Sequence, residues 1–417
     1  MRVAIDAQLI PGGDHGGTEQ VVISLVGALG KLDCEQDAYV IISHWRDPDW
    51  LRPYLGPNQS IVTLWSRPGQ SLRNALWVVL RRVASKSLAA VRRLMPRLTA
   101  NVPAIPRSKG FYESLGVDLV YFAFQSYVRS SMPSIYNPHD LQHLHYPQFF
   151  APEQVAMREA LYRAGCAESR AITVPSKSAK DDIVQQYGIA PGKIYVTYWA
   201  PPADLYPDVT DTLLSDVASK YQLPQAFAFY PAQTWQHKNH LRLLEAIALL
   251  RDRDGIPLNL ICTGKQNDFW RTIARRIREL RLEQQTRFLG FVKPDELRAL
   301  YHLAQFVVHP SLFEGGGLPV LEAFRAGVPV ACSNVTSLPE YAGNAALLFD
   351  PTNVASIADA LRQMATNVAL REELRQRGSE RIRLFTWERT AKMYRALYRQ
   401  VAGVPLSEED SALLAEA

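Results

Sequence analysis

Residues 311–324 read SLFEGGGLPVLEAF: a glutamate, three consecutive glycines, a Leu-Pro step, and a second glutamate eight positions after the first. The apolar FVVHPS of 306–311, on which this stretch begins, reads as a buried strand. LFEGGG is then the loop leaving that strand's carboxyl end, and Pro319 stands where the first turn of a helix tolerates proline. Glycine permits positive φ and close backbone approach, and both are expected of Gly315, Gly316 and Gly317. Unpaired N–H groups at such a bend, from there to Leu318, form an anion site with the helix dipole behind them. A diphosphate fits it. Glu322 falls one turn into the helix, within reach of ribose hydroxyls. Glu314, on the other side of the phosphates, is expected near a sugar, where its charge can stabilise positive character at an anomeric carbon.

Working outward, short apolar runs alternate with helical periods in both directions. In the first half strands are expected at RVAID (2–6), YVIIS (39–43), SIVTLW (60–65), DLVYFA (118–123), SIYNP (134–138), AITVPS (171–176) and KIYVTYW (193–199). Helices are expected over 17–31 and 152–169. Near Ala200 the pattern lapses into APPADLYPDVTD, which suits an exposed connection. It restarts with FAFYPA, LNLICTG, RFLGF, FVVHPS, VPVACS and ALLFD, separated by helical periods at 238–252, 268–281, 294–303 and 319–326. Val/Ile/Leu-rich strands alternating with helices imply parallel sheets covered on both faces. The expected organisation is α/β: a Rossmann-like domain at 1–203, a second at 204–384, and a helical segment at 385–417 packing back across them. Ligands of such sheets bind beyond the carboxyl ends of the strands.

A chain of 417 residues is too long for one ordinary core, which agrees with two domains. No apolar run approaches the roughly 20 residues that span a bilayer. The opening MRVAIDAQLI lacks a basic region followed by a long apolar block and reads as a strand, so a cytoplasmic protein is expected. Cys34, Cys166, Cys262 and Cys332 have neither metal nor disulfide spacing and read as small apolar core residues. Net charge is +5, yet 51–112 hold eleven Lys and Arg and no Asp or Glu, so the remainder is net −6. Within the basic stretch 67–109, an amphipathic helix over 72–95 gathers Arg81, Arg82, Lys86, Arg92 and Arg93 opposite an apolar arc. Such a helix, carrying Trp77, suits an anionic leaflet on the inner face of a membrane; its bland alternative is a solvated domain helix. No nucleic-acid recognition motif accompanies the charge.

With seven residues between its glutamates, EGGGLPVLE resembles the E-x7-E signature of the family-4 retaining glycosyltransferases of GT-B fold ("glycosyl transferases group 1"). That signature usually has an aromatic residue where Gly316 stands, and the difference is expected to alter packing under the loop. The resemblance implies a nucleotide-sugar donor whose diphosphate meets Lys238, at the start of a helix with Asn239, and no required metal or other cofactor. Many relatives carry an arginine at the position of Gln233, so His237 or a basic group from elsewhere is left to share the charge. It also implies that the turns at Gly264-Lys265 and Phe291-Val292 hold the nucleotide, and that the Gly16-Gly17 loop approaches donor phosphate and acceptor. His139, in a His-Asp pair, would point at the transferred sugar. His143 and His145 form an alternate-residue pair with no third ligand and read as ordinary loop histidines. Asp252 and Asp254 form a D-x-D read as an exposed turn on the far side from the cleft.

Together these readings imply a retaining hexosyltransferase using GDP-mannose or a UDP-sugar and a glycan or lipid-linked acceptor hydroxyl, in polysaccharide, glycolipid or envelope-glycan synthesis. Two alternatives stay open: a nucleotide-sugar epimerase or hydrolase of the same fold, and a non-catalytic nucleotide-sugar or glycan-binding protein. A dehydrogenase is disfavoured, since DAQLIPGGDHGG is not a tight G-x-G-x-x-G turn.

Overall fold

Seven short runs of the first half form one sheet and six of the second form another. The computed structural model describes residues 1–12, 17–32, 36–64, 103–202 and 208–417. The first sheet contains β1 (Arg2–Ala7), β2 (Ala38–His44), β3 (Gln59–Leu64), β4 (Leu119–Phe122), β5 (Ser134–Tyr136), β6 (Ala171–Val174) and β7 (Ile194–Val196), in the order β3-β2-β1-β4-β5-β6-β7. The second contains β8 (Ala228–Pro231), β9 (Leu260–Thr263), β10 (Thr286–Phe288), β11 (Phe306–His309), β12 (Val330–Ser333) and β13 (Ala346–Phe349), ordered β10-β9-β8-β11-β12-β13. The pairings of these strands are parallel. Parallel strands need crossovers, and helices supply them on both faces, which buries β4, β6, β9, β11 and β12 end to end.

Strand order reverses between β1 and β4 in the first sheet and between β8 and β11 in the second. A crevice opens at the carboxyl ends of the strands at such a reversal. The loops after β8 and β11 carry Lys238 and Glu314 respectively, which places both at the second reversal. Geometry here follows directly from topology.

Three apolar clusters fill the molecule. One covers the outer face of the second sheet, with Leu243, Ile247, Ile261's neighbour Cys262 and Leu361. Another covers the outer face of the first, with Phe122, Tyr136 and Ile183. The third runs without a break from Val22 and Leu25 of the Gly17–Lys31 helix through Trp199, Phe229, Leu321 and Tyr341 to Tyr394 and Tyr398. Those last two belong to the Trp387–Ala402 helix, which returns from the second domain to the first. Tyr394 Oη accepts hydrogen bonds from Tyr121 Oη and Thr197 Oγ1, each at 3.0 Å. Arg399 reaches Asp37 and Asp410, both at 2.9 Å, and the Val196 amide donates to the Ala417 carbonyl at 3.0 Å.

The linker differs from expectation at its start. Ala200, Pro201 and Pro202 are buried rather than exposed, because they run beneath the cleft between the sheets. The basic stretch with Arg81, Arg82, Lys86, Arg92 and Arg93, together with Gly16 and Cys34, lies outside the described residues. Asp252 and Asp254 sit in the last turn of the His240–Asp254 helix rather than beyond it, each paired with an adjacent arginine at 2.7 Å.

Leu397, 1% exposed on the returning helix, is held only by packing. Leu397→Ala should destabilise the protein by about 2–5 kcal/mol through lost transfer energy and a cavity. Guanidinium unfolding checks it, and a loss well under 1 kcal/mol would mean that the helix does not anchor the first domain.

Candidate active site at the reversal points

The cleft between the sheets holds about 1110 Å³. Gly315 and Gly316 of the triple-glycine loop line it, and each of the three glycines is needed for space rather than for φ. None of the three takes the left-handed conformation, contrary to expectation. A Cβ on Gly315 would lie 2.9 Å from Asp140 Oδ2, one on Gly316 2.7 Å from the Trp199 ring, and one on Gly317 2.6 Å from the Tyr341 ring. Trp199 thus occupies the room that an aromatic side chain at 316 would take. The amides of Gly315, Gly316 and Leu318 donate to no group among the described residues, and all three residues line the cleft. Pro319 follows at the start of the Leu318–Arg325 helix, whose first amides have no intrahelical partner. Gly317, packed on Tyr341, is not in the cleft wall.

Glu314 is 13% exposed. Lys238 Nζ meets its Oε1 at 2.5 Å, and His309 Nε2 meets the same oxygen at 3.0 Å. Its Oε2 has no hydrogen-bond partner among the described residues. Burial raises its pKa, but Lys238 and the His309 hydrogen bond outweigh it, so the carboxyl stays ionised far below its usual range. Lys238, expected to face a diphosphate, is ion-paired with Glu314. His237 does not share its charge: burial and the nearby ammonium push the imidazole down to about 3, so it is neutral.

Asn239 does not belong to the cleft. Its φ is +60°, it is buried, and its Nδ2 donates to the Pro310 and Pro351 carbonyls at 3.0 and 2.8 Å. It locks the loop after β8 to those after β11 and β13, which is a structural task. Glu322 lines the cleft, and Tyr301 Oη donates to its Oε2 at 2.6 Å. Burial there raises the carboxyl to about 7. His139 also lines the cleft, with φ +66°, its Nε2 3.4 Å from the Ala123 carbonyl and its ring edge-on to Trp199 at 5.2 Å. Burial lowers it to about 4, so it is neutral near pH 7.

Gly17, Gly264, Lys265, Phe291 and Val292 complete the rim. Gly17 comes so close to the helix start that its Cβ would meet Leu318 Cδ1 at 3.1 Å. Gly264 has φ +117° and a Cβ position blocked by the Ala232 backbone. Phe291 is 69% exposed, an uncovered apolar ring suited to stacking. His143 and His145 are each held by a carboxylate, Glu159 at 3.2 Å and Asp182 at 2.8 Å. Sequence reasoning passed over His309, Tyr301 and Trp199. The first was visible as a histidine ending an apolar strand five residues before Glu314. The other two come from distant segments and left no local signal.

Comparison with known proteins agrees with this architecture. The family model described as "Glycosyltransferase Family 4" matches residues 15–200, and that described as "Glycosyl transferases group 1" matches 217–381. Together they cover both domains, and the chain belongs to this glycosyltransferase family. It is 32% identical to the O-antigen chain mannosyltransferase B of Escherichia coli over 60% of this chain and 66% of that one. It is 30% identical to the serotype-specific mannosyltransferase WbdA of Escherichia coli over 54% of this chain and 28% of that one. The matched region thus falls short of two thirds of these relatives' lengths. Among solved structures, sucrose-phosphate synthase from Thermosynechococcus elongatus superposes with a TM-score of 0.68 at 20% identity, covering 96% of this chain and 99% of that one. Anabaena Alr3699/HepE in complex with UDP and glucose gives 0.69 at 16%, covering 96% and 100%. The fold is GT-B.

Because Glu322 has a higher pKa folded than unfolded, the folded state binds the extra proton between about 4.5 and about 7. Its contribution to stability is full below that window and is lost as pH rises through it. Urea unfolding at acid and mildly alkaline pH should show Glu322→Gln abolishing this part of the decline; an unchanged slope would refute the assignment.

Proposed function

We propose that the chain is a retaining hexosyltransferase that moves mannose from GDP-mannose to a hydroxyl of a glycan or lipid-linked acceptor in surface-polysaccharide synthesis. The observation that carries this reading is the convergence of Lys238 and His309 on one oxygen of Glu314, beside unclaimed amides at the reversal point of the second sheet. The O-antigen mannosyltransferases among its relatives favour mannose. HepE, solved with UDP-glucose, supports a UDP-sugar as the second reading.

In this reading the diphosphate lies on the amides of Gly315, Gly316 and Leu318 and draws Lys238 away from Glu314. His309 keeps Oε1 in place, and Oε2 faces the sugar. The bond from the anomeric carbon to the phosphate oxygen breaks as positive character develops on that carbon, and the ionised Glu314 stabilises it. The acceptor oxygen attacks from the same face, and its proton passes to the departing phosphate. Neutral His139 can donate to or accept from a sugar hydroxyl without adding charge. Glu322 takes a ribose hydroxyl, and Phe291 stacks near the base. The reading assigns charge neutralisation to Lys238 and the amides, so transfer should persist in EDTA.

Glu314→Gln and Lys238→Met should each lower kcat by about 10²–10³-fold in transfer assays over a panel of nucleotide sugars, the scale of losing one preorganised charge. Turnover unchanged in both would remove the site assignment. Donor consumption without acceptor, at the rate seen with it, would instead indicate a hydrolase or epimerase.

No helix among the described residues is long and apolar enough to cross a membrane. We place the enzyme in the cytoplasm, peripheral on an anionic inner leaflet through Arg81, Arg82, Lys86, Arg92 and Arg93. Each such cation adds on the order of 1 kcal/mol at low screening. Reversing these charges should abolish co-sedimentation with phosphatidylglycerol vesicles at low salt while leaving transfer to a soluble acceptor intact. Binding that survives would sink the membrane proposal.

A further inference from the structure

Trp199 follows β7, beyond the carboxyl end of the first sheet, and is 7% exposed in the cleft wall. Its ring has two neighbours that matter. On one side is His139, edge-on at 5.2 Å and 80°. On the other is Gly316, whose absent Cβ would stand 2.7 Å from Trp199 Cε3. The indole Nε1 is buried and has no hydrogen-bond partner among the described residues. The Trp199 amide in turn donates to Tyr341 Oη at 3.2 Å, and Tyr341 Oη donates to the Pro175 carbonyl at 2.7 Å. Tyr341 also packs on Gly317. The Trp199 backbone is thereby tied to Tyr341 of the second domain, beside the glycine loop.

We propose that Trp199 is a positioning residue for the transfer, a rigid spacer between the His139 ring and the Gly316 backbone that fixes where the sugar lies against Glu314. This rests on the reading of the cleft as a sugar-transfer site. Trp199 itself supplies no group to the chemistry. The spacer acts by volume at one defined place, so the same volume delivered from the opposite side replaces it. Gly316 has no left-handed φ, and a side chain there grows into the space the indole fills.

The experiment compares the wild type with Trp199→Ala, Gly316→Phe and the double variant, using the nucleotide sugar that the wild type turns over. Transfer gives kcat and KM, titration calorimetry with the corresponding nucleoside diphosphate gives donor-side affinity, and thermal unfolding controls for folding. Trp199→Ala is expected to lower kcat by about 10²-fold, the effect of a misplacement near 1 Å, with diphosphate affinity changed less than about threefold. Gly316→Phe alone is expected to be inactive through collision with the indole. The double variant should recover at least about tenfold in kcat over either single variant. If Trp199→Ala does not fold, Trp199→Phe takes its place, alone and combined with Gly316→Ala, with the same ordering expected. A kcat within threefold of wild type in the Trp199 variant, a double variant no better than the worse single one, or equal losses of kcat and diphosphate affinity would overturn the proposal. Failure of the wild type to turn over any nucleotide sugar would instead refute the functional reading.

Discussion

A carboxylate almost withdrawn from water between two sheets is tolerable only if its charge is met in place. Glu314 is met by Lys238 from one strand end and by His309 from the next, and this requirement dictates much of the surrounding architecture. The two partners come from the loop after β8 and from the last residue of β11, which are neighbours in the sheet but far apart in the chain. Asn239 ties the loop after β8 to the Pro310 carbonyl after β11 and to the Pro351 carbonyl after β13, so the ammonium and the carboxylate are held by one frame.

The glycine loop shows how a second domain takes part in that frame. Ser176 of the first domain donates to the Gly315 carbonyl at 2.9 Å, and the Lys177 amide donates to Glu340 of the second at 2.8 Å. Tyr198 also donates to Glu340. With Trp199 and Tyr341 filling the space above Gly316 and Gly317, the loop is shaped from both sides at once. A side chain at 315 or 316 would meet Asp140 or Trp199 of the first domain, and one at 317 would meet Tyr341 of the second.

The fold was largely readable because its signal is local: β-branched runs of four to seven residues, spaced by helical periods, each declare their own class. The helix over 17–31 and the one beginning at Pro294 emerged with the bounds read from their periodicity. Glu314, Lys238 and Glu322 were readable because all three sit at strand ends or helix starts. What was hidden depends on distance. That Lys238 would be held by Glu314, that Asn239 would turn inward, and that the glycines would serve packing rather than turn geometry all follow from neighbours far off in sequence. Trp199 and Tyr301 were invisible for the same reason.

The chain passes between the domains twice, once after β7 and again just before the Trp387–Ala402 helix. These passages lie side by side: the Tyr198 and Phe385 rings are 5.8 Å apart, and Thr390 Oγ1 donates to the Tyr198 carbonyl at 2.7 Å. With the two passages bonded to each other, the lobes share one line of attachment at the base of the cleft, and that line fixes which faces of the two sheets look at one another.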